Sequence, residues 1–77
     1  MSHRPVGKVV NGHGLEPPEP FELTMAALDA IDPDESVLLL LPREPHPLFQ
    51  VLDRQGFLHR TQRTPEGHYE IRIWRGA

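Results

Sequence analysis

The chain contains no cysteine. That absence removes disulfides, thiolate nucleophiles, persulfide carriage and cysteine-ligated zinc or iron–sulfur centres. A small domain without disulfides fits a reducing compartment, so a cytoplasmic protein is expected. Long hydrophobic runs are also missing. The longest, Val37–Leu41, is only five residues, whereas about 20 apolar residues are needed to cross a bilayer. No basic segment precedes an apolar stretch, so no signal peptide is expected, and no membrane role. With 77 residues there is one domain, and a chain this short buries only about 60% of its unfolded surface. It has room for one sheet and two helices, without a separate catalytic domain.

Basic residues are scarce in most of the chain. Residues 1–53 hold three Lys/Arg against nine Asp/Glu, and residues 54–77 hold five Arg against two Glu, which together give the net charge of −3. A nucleic-acid binder shows a basic balance or a dense basic stripe. Here the arginines alternate with apolar residues on expected strands, the pattern of a solvated sheet edge, so nucleic acid is not the expected partner.

What is plentiful is proline, nine in all. The prolines gather at two junctions, which argues for rigid connections rather than disorder. The first junction is Gly14-Leu-Glu-Pro-Pro-Glu-Pro20, where a strand hands over to a helix. Pro18 suits the first helical position, where its missing N–H would be unpaired anyway. The second is Pro42-Arg-Glu-Pro-His-Pro47.

Residues 1–7 are polar and aperiodic and are expected to be a flexible N-terminus, leaving residues 8–77 as the single domain. Lys8–Val10 reads as a short strand, ended by Asn11-Gly-His-Gly14, whose glycines suggest a tight turn or a close backbone approach. Pro18 to Ile31 reads as a helix with Phe21, Met25, Leu28 and Ile31 recurring at helical spacing and Ala27 and Ala30 beside them. Glu19 and Glu22 in its first turn suit the helix dipole, and Asp32-Pro-Asp34 stops it. Ser36–Leu41 is an apolar strand bounded by turn residues. Leu48–Gln55 reads as a short helix with Leu48, Val51 and Leu52 inward and Gly56 at its end. Phe57–Arg63 is a strand, Thr64–Gly67 a turn, and Tyr69–Arg75 a strand that alternates cleanly, with Tyr69, Ile71 and Ile73 on one face. The βαβαββ order predicts an α+β fold: a two-layer α/β sandwich in which a mixed four-stranded sheet carries two helices on one face and leaves the other face open.

With these elements in place, the chain resembles the TusA/SirA-like family, whose members carry a Gly-Leu-x-Cys-Pro-x-Pro motif at the start of the first helix. Gly14, Leu15, Pro18 and Pro20 match it, Glu19 fills the variable position, and Pro17 stands where the cysteine would be. The stretch Leu41–Leu48 and the closing Ile71-Arg-Ile-Trp74 also resemble a cysteine-free bacterial branch of that fold, a DUF2249-like domain of unknown function. The resemblance implies the fold over nearly the whole chain, and a place in bacterial redox, sulfur or nitrogen-oxide metabolism. It does not imply persulfide transfer, because proline cannot act as a nucleophile.

Two candidate sites follow. If the first two strands are parallel, both junctions lie at one end of the sheet, which is where α/β sheets bind ligands. That edge gathers Glu16, Pro17, Pro18, Glu19, Arg43 and His46, with Glu44 nearby, and helix N-termini there present N–H groups to an anion or small molecule. His13 and His46 with Glu16 or Glu19 could serve a metal or haem, although their spacing matches no recognised ligand pattern. The open sheet face is the second site. Leu38 and Leu40, alternating with Val37, Leu39 and Leu41, would share it with Arg72 and Trp74 as a docking surface for a partner. His59 and His68 read as strand and turn residues without chemistry. The expected function is a non-catalytic interaction or carrier-type domain, a monomer or weak homodimer without a cofactor, that docks another protein, with a redox or sulfur-metabolism component as the candidate partner. The alternative is a metal- or haem-binding redox protein or sensor using His46 and nearby acids.

Overall fold

A computed structural model describes residues 4–76. The elements are β1 (Val6–Asn11), α1 (Glu19–Ala30), β2 (Ser36–Leu41), α2 (His46–Arg54), β3 (Phe57–Arg63) and β4 (Tyr69–Arg75). Together they form the expected α+β sandwich, with one mixed four-stranded sheet in the order β1-β2-β4-β3.

The topology explains why both helices share a face. β1 runs parallel to β2. β4 is antiparallel to both β2 and β3, so β2 and β3 point the same way with β4 slotted between them. The crossovers β1-α1-β2 and β2-α2-β3 therefore step across the sheet in the same direction. Right-handed connections then send both helices to the same side. There α1 packs over β1 and β2, and α2 over β3.

One core lies beneath them. The sheet contributes Val10, Val37, Leu39, Leu41, Phe57, Ile71 and Ile73, α1 contributes Ala27 and Leu28, and α2 contributes Leu48 and Leu52. The alternation read from the sequence holds in β2 and β4: Val37, Leu39, Ile71 and Ile73 are fully buried, while Leu38, Leu40, Arg72 and Trp74 are only half-buried on the opposite face. Burying such a side chain contributes roughly 1.5–3 kcal/mol, so this single apolar row is a large part of what holds the sheet to the helices.

Several boundaries and faces differ from expectation. β1 begins at Val6, two residues before Lys8. Arg4 and Pro5, expected in the loose N-terminus, are fastened: their carbonyls accept from the Ser36 hydroxyl at 3.3 and 3.2 Å, and Pro5 also accepts from the Ser36 N–H at 2.8 Å. The expectation for residues 1–3 lies outside the described residues. Pro18 is the N-cap of α1 rather than its first residue, and Pro20 takes the second helical position. The face of α1 is also rotated. Thr24 is fully buried while Phe21 stays 37% exposed. Thr24 can go inside because its hydroxyl donates to Pro20 O at 2.7 Å, so only its methyl meets the core. α2 begins at His46, two residues earlier than expected, and Gly56 follows its C-cap with φ +81°.

Candidate functional site

Because β1 and β2 are parallel, both leave the sheet at the same end, and the two prolyl junctions meet there. Between them lies an open groove of about 570 Å³. The first junction lines it with Leu15, Glu16, Pro17, Pro18, Pro20 and Phe21. The second supplies Pro42, Arg43, Glu44, Pro45 and Pro47. The sheet contributes Leu39 and Leu41, and α2 contributes Leu48 and Val51. The surface is thus mainly apolar, with Glu16, Arg43 and Glu44 as its charged groups, all on exposed residues.

Gly12 sets one wall. Its N–H donates to Leu40 O at 2.7 Å, drawing the loop after β1 hard against β2. An added Cβ would run into the Leu41 side chain and sit 3.0 Å from the Leu40 carbonyl, so only glycine fits this approach. The Pro17–Pro18 peptide bond in the same junction is cis.

The helix entrances do not behave as anion sites. In the first turn of α1, Glu19 N–H donates to Glu16 O and Glu22 N–H to Pro18 O, while Pro20 has no N–H. Phe21 N–H alone is left over. In α2, His46 N–H donates to Glu44 O, Leu48 and Phe49 N–H both donate to Pro45 O, and Pro47 has none. An anion site at a helix start needs several free N–H groups aimed at one point. The prolines and the turn carbonyls have consumed them. This corrects the expectation of donors presented at this edge, and it leaves the groove apolar.

Four of the six edge residues expected from the sequence, Glu16, Pro17, Pro18 and Arg43, line the groove. Glu19 and His46 do not. His46 has a 75% exposed side chain, with Nε2 3.5 Å from Glu44 Oε1 and its ring edge-on to Phe49. His13 lies against His68 rather than with His46, at a ring-centroid distance of 4.5 Å. Among the described residues no group of three or more His, Asp or Glu converges to hold a metal ion. His59 packs flat on Phe49 at 4.5 Å and its Nε2 is 3.1 Å from Asp53 Oδ1, tying α2 to β3.

The sequence reading overlooked Phe21, Leu48 and Val51 as groove residues, since each also fits an apolar helix face. It also overlooked Val9 and Leu58. These are the most exposed large apolar residues, at 58% and 51%. Register places both on the open sheet face, Val9 beside Leu38 and Leu58 beside Trp74. Arg72 is held on that face, its guanidinium donating to Arg4 O at 3.2 Å.

Fold and groove together define a small α+β domain with a preformed apolar cleft and no cysteine. The chain belongs to the family described as "Uncharacterized conserved protein (DUF2249)", whose model matches residues 10–75. No curated protein and no solved structure matches the chain. Among the described residues no helix is long and apolar enough to cross a membrane.

Proposed function

We propose that this protein is a non-catalytic docking domain whose groove receives an apolar-anchored peptide segment of a partner protein. The observation that carries this reading is the groove itself, rigid with six prolines, apolar in its walls and charged only at Glu16, Arg43 and Glu44. A partner's apolar side chains would fill the cleft while flanking polar groups meet those charges, the arrangement of an apolar anchor within a polar rim. A small polar metabolite would find little to orient it, because every helix-entrance N–H group but that of Phe21 is already bonded and no buried side-chain polar atom among the described residues lacks a partner. The rigid walls lower the entropy lost on binding.

The resemblance to TusA/SirA-like proteins supports a setting in bacterial redox, sulfur or nitrogen-oxide metabolism, with Pro17 in place of the sulfur-carrying cysteine. The partner is then a protein component of such a pathway. A haem- or metal-sensing role centred on His46 draws less support, because His46 pairs with Glu44 and His13 with His68.

The test is selection of peptides from a displayed random library on the immobilised domain. Enriched sequences should carry at least two apolar anchors, and Val51→Trp, which fills the groove, should abolish their binding while the fold is retained. Failure to enrich any sequence, or binding unaffected by Val51→Trp, would refute the proposal.

A further inference from the structure

His13 and His68 are 55 residues apart in the chain, yet the fold brings their rings into contact. His13 follows β1, and His68 ends the turn before β4. Both backbones are anchored. His13 N–H donates to Asn11 Oδ1 at 3.1 Å. His68 N–H donates to Thr64 Oγ1 at 3.1 Å, and its carbonyl accepts from Thr64 N–H at 2.8 Å. The rings themselves are on exposed residues, and among the described residues no side chain hydrogen-bonds their nitrogens. The other two described histidines are spoken for, His46 by Glu44 and His59 by Asp53.

The ring centroids are 4.5 Å apart with the planes tilted by 59°. Two imidazoles this close can reach one ion, each through a ring nitrogen at about 2.0 Å, and the order of divalent affinities puts copper(II) first.

We propose that His13 and His68 form a two-imidazole clamp for a divalent late transition-metal ion, copper(II) above others, with water completing the coordination. The clamp ties the β3–β4 turn to the loop whose Gly12 and Leu15 wall the groove. It is independent of the docking proposal, since neither histidine lines the groove.

Cupric ion alone is the probe, titrated into untagged protein carrying His3→Ala so that the N-terminal amine and His3 do not capture the ion first. Electron paramagnetic resonance should show one tetragonal copper per chain with two imidazole nitrogens. His13→Ala and His68→Ala should each weaken binding by about a hundredfold through loss of the chelate, and the double variant, left with neither imidazole, should bind more weakly still. His46→Ala should leave binding unchanged. Amide spectra of each variant establish that the exposed substitutions keep the fold. Absence of binding in the His3→Ala protein, or binding that survives both His13→Ala and His68→Ala, would overturn the assignment.

Discussion

Gly12 illustrates how one residue can serve both the fold and the site. Its N–H fixes the β1–α1 loop to Leu40 O, and its missing Cβ leaves the space that Leu41 occupies. Gly12→Val should cost about 1–3 kcal/mol, the usual penalty for forcing atoms into a packed site, and should also distort the groove wall. Chemical denaturation measures the first effect and peptide binding the second. Leu39 is fully buried and also lines the floor of the groove. Leu39→Ala should cost about 2–5 kcal/mol by transfer and cavity terms together. The Asp53–His59 pair is different in kind. Asp53 is 69% exposed, so Asp53→Asn should shift stability by less than about 1 kcal/mol, with the Phe49–His59 stack still holding α2 to β3.

At the scale of elements, the two helix entrances share a device. Each carries proline at its second position, and turn carbonyls take up the remaining first-turn N–H groups, apart from that of Phe21. Pro20→Ala and Pro47→Ala restore one N–H each and loosen the unfolded chain. Each should lower stability by about 0.4–1 kcal/mol, seen as a lower denaturation midpoint at unchanged slope. The strands were the most legible elements, because β2 and β4 combine clean alternation with turn residues at both ends. The phase of α1 was less so. Phe21, Met25 and Leu28 make a plausible inner stripe by spacing alone. Leu28 is fully buried and Met25 packs against the core as that stripe requires, but Phe21 stays exposed while Thr24 goes inside, its hydroxyl finding an acceptor within the helix at Pro20 O. Spacing registers apolarity but not this local satisfaction of a polar atom. The convergence of the two junctions was legible once β1 and β2 were taken as parallel. The consumption of the N–H donors was not, since it depends on which turn carbonyls face inward.

For the whole molecule, two apolar surfaces compete for the role of interface. The open sheet face offers Val9, Leu58 and Trp74, spread over β1, β3 and β4 and interrupted by Arg72 and Arg60. The groove is concave, continuous and walled by prolines, which is why it carries the functional reading. The decisive measurement is amide and methyl NMR mapping of a library-selected peptide on the isotope-labelled domain. The account predicts that perturbations gather at Gly12, Leu15, Phe21, Leu41, Leu48 and Val51 and vanish in Val51→Trp. Perturbations gathered instead at Val9, Leu38, Leu58 and Trp74 would contradict it.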